Sequence, residues 1–228
     1  MKIIALTKYE LKELARNPAL WILVILPVIM SKIVSGIMAS TAPTSVVLPT
    51  WLLFAQVMVG IMLAGPTLLE ERYSKTLDAL LVTPVGVHGV LSVKGLVVLV
   101  LSLVSQTGVL AVNLHGDSHL ALLMPLMLFG AVLAIELGMI IGLGLSSPKN
   151  GSAVASAVMV ILFLAGTVYQ AMPDASGLLY VIPSVEVVAN MQTVMQTGSY
   201  GLLETLGVLA WIVGAGVAIE ALVRRQTA

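Results

Sequence analysis

Residues 120–145 read LALLMPLMLFGAVLAIELGMIIGLGL, an unbroken apolar run whose single charge is Glu136. A helix rising about 1.5 Å per residue crosses roughly 30 Å of hydrocarbon in about 20 residues. The run is long enough to span, and it is continuous rather than alternating, which predicts a helix instead of a barrel strand. Backbone groups in lipid must also be satisfied within their own segment. Outward from this stretch, five more runs lie at about 19–40, 48–69, 91–113, 152–172 and 203–223. The expected fold is all-α: a polytopic membrane protein with six transmembrane helices, forming one transmembrane domain over residues 1–228.

Composition agrees. Hydrophobic residues make up 59% and charged residues 10%, against roughly 45–50% and about 25% in a soluble domain. A soluble protein of this size must keep its skin wet and cannot hide so much apolar surface. That excludes a soluble enzyme, a disordered tail and a nucleic-acid binder. Lys and Arg number 11 against 11 Asp and Glu, so no basic excess awaits a phosphate backbone. With no Cys, there is no disulfide framework, thiolate zinc site or cysteine nucleophile. A charged, periodic segment precedes the first run and no small-residue cleavage site follows it. The run is expected to stay in the mature chain rather than act as a signal peptide, with residue 1 as the mature start.

Basic residues near span ends set orientation. With the N-terminus in the cytoplasm, Lys2, Lys8, Lys12, Arg16, Arg72, Lys75, Lys94, Lys149, Arg224 and Arg225 all fall inside, and only Lys32 falls elsewhere, where it is expected to snorkel outward. The external side carries Asp117, Asp174, Glu186 and Glu204. Both termini are therefore expected to be cytoplasmic.

Four segments lie between or before the spans. Residues 1–18 place Ile3, Thr7, Leu11 and Leu14 on one side and Lys8, Lys12 and Arg16 on another, which predicts an amphipathic interfacial helix ended by Asn17-Pro18. Spans 1 and 2 occupy 19–69. Residues 70–84 hold the densest charge cluster: Thr76 is placed to N-cap a short helix with Asp78 in its first turn, and Leu77, Leu80 and Leu81 share a face closed off by Pro84. Spans 3 and 4 fill 86–145, a polar turn covers 146–152, and span 5 covers 152–172. Residues 173–202, broken by Pro173, Gly177, Pro183, Gly198 and Gly201, are too apolar for an open loop and too interrupted for a seventh span. They are expected to form short helices dipping into the outer leaflet before span 6 at 203–223.

The run Glu71-Arg72-Tyr73-Ser74-Lys75-Thr76-Leu77-Asp78, followed by Leu80-Leu81 and Thr83-Pro84-Val85, resembles the signature of ABC-2 type transporter permeases. That signature is Glu-Lys-Glu-x-Gly-Thr-Leu-Glu, then Leu-Leu and Thr-Pro-Val, between the second and third spans. Glu71 matches the first acid, Arg72 the base, Thr76-Leu77 the Thr-Leu pair and Asp78 the last acid; Tyr73 replaces an acid and Lys75 a glycine. Lys94 resembles a lysine that often follows. The Arg-Asn-Pro end of the N-terminal segment, the six spans and the Pro-broken external segment are also similar to the family.

The resemblance implies a fold, partners and a mechanism. Residues 70–84 would be a cytoplasmic coupling helix docking into a separate ATP-binding subunit through Glu71, Arg72, Tyr73, Thr76, Leu77, Asp78, Leu80, Leu81 and Pro84. Two permeases, identical or not, would work with two ATPases, dimerising through the first and fifth spans. ATP and Mg would bind the partner, because this chain has no G-x-x-x-x-G-K-S/T loop and is not expected to be an enzyme, to bind a cofactor or to hold a metal. The expected location is the inner or plasma membrane of a prokaryote, and the expected activity is export of an amphipathic or lipophilic drug, peptide or lipid. A haem-exporter-like B subunit has similar size and span count, although no external His/Trp cluster argues for haem. A non-transporting membrane scaffold or assembly protein is the other alternative. An intramembrane hydrolase would need a Gly-x-Ser-Gly, His-Glu-x-x-His or paired Asp motif, which is absent.

Within the spans, Glu136 is an expensive intramembrane carboxylate and marks a functional site or a partner. Counting along the hairpin from Asp117, Lys94 lies within about 6 Å of its depth, which suggests a Lys94–Glu136 ion pair. On the same helix Gly130, Ala134, Gly138 and Gly142 recur every four residues, a ladder that admits a close backbone neighbour within the subunit or at a dimer seam. Ala210, Gly214 and Ala218 form a second ladder, for which packing within the subunit is favoured. His115, Asp117 and His119 in the external turn suit either a metal or a plain turn.

Overall fold

The computed structural model describes residues 7, 12, 16–38, 43–75, 86–113, 120–172 and 176–227, and no strand occurs among them. The long helices are α1 (Pro18–Met38), α2 (Thr44–Tyr73), α3 (Gly86–Asn113), α4 (Leu120–Gly144), α5 (Pro148–Ala171) and α8 (Leu202–Thr227). Two shorter ones, α6 (Ser176–Leu179) and α7 (Pro183–Thr197), connect α5 to α8. All six long helices have the length and apolar composition to cross a bilayer. The chain is a multi-pass, all-α membrane protein.

Helix α2 is the axle. It is apolar around its whole circumference, which marks a helix meant for the interior of a bundle. It packs on α1, α3, α4, α5 and α7, and Leu52, Ala55, Val59, Ile61 and Leu63 are fully buried. Its main partner is α4. The two run parallel in constant register: Gln56 faces Gly130, Gly60 faces Ala134, Ala64 faces Gly138 and Leu68 faces Gly142. Lipid gives helices no hydrophobic reason to associate, so close backbone approach through small residues supplies the attraction. A Cβ on Gly138 would sit 3.0 Å from the Ile61 carbonyl oxygen, and one on Gly142 would sit 2.8 Å from that of Gly65. The ladder on α4 thus lies on α2 within one chain.

The other helices are arranged around this pair. α1 runs parallel to α3, tied by Ser105 Oγ donating to Val24 O at 2.7 Å and Asn113 Nδ2 donating to Ser31 Oγ at 3.0 Å. α5 runs antiparallel to α2, with Gly151 against Leu69 and Gly166 against Leu53. α8 runs alongside α4, its approach fixed by Tyr200 donating to Leu122 O at 2.9 Å. Apolar side chains on the outer helices remain exposed, among them Ile37, Ile161, Leu203 and Val213; acyl chains accept such a surface and water does not. One end of the bundle collects Arg72, Lys94, Lys149, Arg224 and Arg225 and is called the basic end below. The other carries α7, Glu186 and Glu204.

Several boundaries differ from the sequence expectation. α2 continues without a break through Tyr73, so Glu70–Tyr73 are its last turn and not the start of a separate helix. The helix expected from Thr76 onward falls outside the described residues, as does most of the N-terminal interfacial helix and the turn holding His115, Asp117 and His119. α5 begins at Pro148 rather than at residue 152: proline is pre-organised for a first helical position, so Lys149–Ser152 form its opening turns. The Ala210–Gly214–Ala218 ladder does not pack within the chain. Gly214 has nothing within 4 Å of a would-be Cβ, and α8 instead buries Val208, Ala215 and Val223, a stripe rotated away from the small residues. Lys32 does more than snorkel: its Nζ donates to Val112 O at 3.0 Å, at the carbonyl end of parallel α3.

The segment between α5 and α8 does form short helices, and the longer of them is a wedge buried within the bundle. α7 buries Val185, Val188, Asn190, Met191 and Val194 between α2, α4, α5 and α8, and ends at Gly198 in the left-handed region, φ 69°. Asn190 is satisfied by donating to Thr205 Oγ1 at 2.7 Å and accepting from Gly201 N at 3.0 Å.

Close packing of α2 on α4 has a direct consequence. Gly65→Ala puts a Cβ 2.9 Å from Gly138 O and is expected to destabilise the protein by about 1–3 kcal/mol. Gly214→Ala, in open space, should stay within about 0.5 kcal/mol. Thermal unfolding of the two purified variants in one detergent checks the contrast.

Candidate functional site

The last turn of α2 is where charge concentrates. Successive helical residues point about 100° apart, so Glu71, Arg72 and Tyr73 fan out in three directions. Glu71 turns to α3, where Lys94 Nζ lies 2.5 Å from its Oε1. Arg72 turns to α4, and Tyr73 is left exposed. Lys94 is only 8% exposed. An ammonium that is out of water needs a counter-ion, and breaking such a pair leaves an uncompensated charge.

Arg72 performs a different task. Its Nη1 lies 2.7 Å from Gly142 O, 2.8 Å from Leu143 O and 3.1 Å from Leu145 O. Gly142 O and Leu143 O are among the last carbonyls of α4, which have no intrahelical donor and form the negative end of that helix's dipole; Leu145 lies just beyond its end. Because α2 and α4 run parallel, a base on the last turn of one reaches the carbonyl end of the other. Glu71 and Arg72 were expected to meet a partner; the structure places both side chains on neighbouring helices of the same chain. Thr76, Leu77, Asp78, Leu80, Leu81 and Pro84 lie outside the described residues. Ser74 and Lys75 turn the chain away from α2, Lys75 with φ 59°.

The Lys94–Glu136 pair is not formed. Depth along the bilayer was matched: Gly95, next to Lys94, packs on Ile135 and Met139 of α4. Azimuth was not. Gly95 faces α4, so Lys94, one residue back, is rotated toward α2 and Glu71. Glu136 looks the other way, into an open groove of about 330 Å³ between α3, α4 and α8. Leu91, Ile135, Met139 and Ile219 form its walls, and Gly216 opens its floor. At the basic end His88 and Glu220 meet at 2.8 Å, with Glu220 also accepting from Arg224 Nε at 2.8 Å. Glu136 Oε2 is buried without a hydrogen-bond partner among the described residues.

Sequence reasoning passed over one buried polar pair. Gln56 Nε2 donates to Gln106 Oε1 at 2.9 Å in the middle of the α2–α3 contact, and Gln106 Nε2 donates to Ser102 Oγ at 3.2 Å. The two glutamines were visible as amides within apolar runs; their antiparallel register was not. Gly130 leaves room for the Gln56 amide: a Cβ there would meet it at under 3 Å and force the glutamine to move.

Outside the spans, Glu186 is the perturbed group. Burial first, and the nearby Glu204 carboxylate second, raise its pKa above 4.5. No family model matches the chain, and no curated protein matches it.

Three measurements follow from this geometry. Arg72→Met leaves the α4 carbonyls without their donor and should cost about 1–3 kcal/mol, with Arg72→Lys recovering part because an ammonium also donates to carbonyls; thermal midpoints of the purified variants report both. A double-mutant cycle of Glu71→Gln with Lys94→Met should return a coupling of about 0.5–3 kcal/mol; additivity would show that the pair contributes nothing. Because Glu186 has a higher pKa folded than unfolded, its contribution is fully present below the unfolded value, near pH 4.5, and is lost as pH rises through the folded value. The thermal midpoint should fall over that window, and Glu186→Gln should flatten the fall.

Proposed function

We propose that the chain is the permease subunit of an ATP-driven exporter of the ABC-2 type. In this reading it forms the translocation pathway and couples to a separate ATP-binding subunit, two copies of which act with two permeases. ATP and Mg reside on that partner. The protein lies in a prokaryotic plasma membrane with both termini and the basic end cytoplasmic.

The observation that supports the reading is the footing of Glu71 and Arg72, the first matched acid and base, in the last turn of the most buried helix. The two are anchored to α3 and α4, with Lys94 Nζ 2.5 Å from Glu71 and Arg72 on the α4 carbonyls. A load applied to the residues after Lys75 is therefore delivered to three helices together. A coupling element needs such a footing: a switch acts through a difference in contacts between two states, and a segment on a loose tether would absorb the displacement. Tyr73, exposed on the same turn, remains available to a partner, as do the apolar positions Leu77, Leu80 and Leu81 if they share one helical face.

The test is recruitment and turnover. Isolated from its native membrane in mild detergent, the tagged chain should carry a soluble P-loop ATPase in one-to-one ratio, and the pair should hydrolyse ATP in proteoliposomes. Leu77→Asp with Leu80→Asp should weaken retention of the ATPase at least tenfold, about 1.4 kcal/mol, while leaving the spans folded. A chain that isolates without an ATPase, or a double variant with unchanged retention and turnover, contradicts the proposal.

A further inference from the structure

The groove between α3, α4 and α8 holds a carboxylate deep within a span that has no hydrogen-bond partner among the described residues. Elsewhere, intramembrane charge and amide groups find partners: Lys94 has Glu71, Arg72 has the α4 carbonyls, and Gln56 has Gln106. Glu136 has none among the described residues, and its Oε2 is buried. Its Oε1 lies 3.7 Å from where a Cβ on Gly216 would stand, so the carboxylate faces space that α8 leaves open. A carboxylate within a span is expensive unless something compensates it.

The geometry points to a binding site for lipophilic organic cations, with Glu136 as the counter-ion. The volume of about 330 Å³ is at the lower end for a small-molecule pocket. Walls of Leu91, Ile135, Met139 and Ile219 accept an apolar body, and Glu136 supplies one fixed negative charge. A hard metal cation is the wrong occupant, because it needs about six oxygen ligands and the deep part of the groove offers one carboxylate. Glu220, roughly one helical turn or 6 Å nearer the basic end than Gly216, is already engaged by His88 and Arg224; it marks the mouth and leaves Glu136 as the deep anchor. A ligand with a single ammonium and an apolar body of a few rings or a short chain matches this arrangement. Such a molecule also partitions into a bilayer.

As a transport site this rests on the exporter reading above. As a binding site it does not, and an assay on the permease alone keeps the two apart. Purified chain in phosphatidylcholine nanodiscs is titrated with dansylcadaverine, a lipophilic primary ammonium, and with its N-acetyl derivative, which keeps the dansyl body and loses the charge. Trp-to-dansyl energy transfer is read after subtraction of empty nanodiscs. The wild type should bind the ammonium at least tenfold more tightly than the acetylated probe. Glu136→Gln should abolish that preference. Gly216→Leu, which fills the groove beside Glu136 without removing any charged group, should weaken binding of both probes, whereas Glu220→Gln should change the preference less than Glu136→Gln does. Equal affinity for the two probes overturns the proposal, as it would if Glu136 simply carried a proton. Unchanged preference in Glu136→Gln overturns it too. So does absence of binding to the wild type, the result expected if an acyl chain or a second copy of the protein fills the groove.

Discussion

The close approach of α2 to α4 is the contact on which the rest of the molecule depends. In water a helix is driven to its partner by the removal of apolar surface; in lipid that drive vanishes and contact must come from packing. Gly60, Gly65, Gly138 and Gly142 let two parallel backbones meet with carbonyl oxygens near the opposing α-carbons. Parallel packing also brings two carbonyl ends together, an unfavourable alignment of dipoles. Arg72 answers it by placing a cation on the end of α4. The same solution recurs at the opposite end, where Lys32 of α1 reaches Val112 O of parallel α3.

The axle of the bundle thereby determines what its periphery does. Because α2 is covered on nearly every side, the segment that follows it leaves from a fixed point, with Glu71 held by Lys94 and Arg72 held by α4. Because α4 gives its small face to α2, its opposite face must meet something else, and Glu136 lies there, beside α8 and the groove. Packing and candidate chemistry are two faces of one helix.

Much of the architecture was legible in the residues. Six apolar runs gave six helices, and the four-residue recurrence from Gly130 to Gly142 marked the packing face of α4. The interruptions between residues 173 and 202 announced helices too short to span, although not how deeply α7 is buried. What could not be read was rotation about an axis. Lys94 and Glu136 lie at matching depth, yet a difference of one residue turns the lysine to α2. The same limit applies to Ala210, Gly214 and Ala218, whose spacing equals that of the α4 ladder but whose face lies outside the contact. Helix ends were misjudged for a simpler reason. Glu70–Tyr73, expected to open a separate coupling helix, are the last turn of α2, and Lys149–Ser152, expected in a polar turn, are the first turns of α5, because polar side chains at a membrane surface satisfy themselves without breaking the backbone ladder. The role of Arg72 depended on knowing that α2 and α4 run parallel and in register, a tertiary fact with no local signal.

Under the proposed exporter function, the α2–α4 unit would move as one body when a nucleotide-driven partner pulls on the segment after Lys75. The chain contains no cysteine, so spin labels can be placed without removing native thiols. Pulsed EPR on the complex, with labels at Ser74 and Ser146 of one chain or at Ser74 of both permease copies, measures rigidity and displacement together. The expected result is a Ser74–Ser146 distance indifferent to ATP and a Ser74–Ser74 distance that changes with it. A Ser74–Ser146 distance that shifts or broadens with ATP, or an inter-copy distance that ignores the nucleotide, would contradict the account.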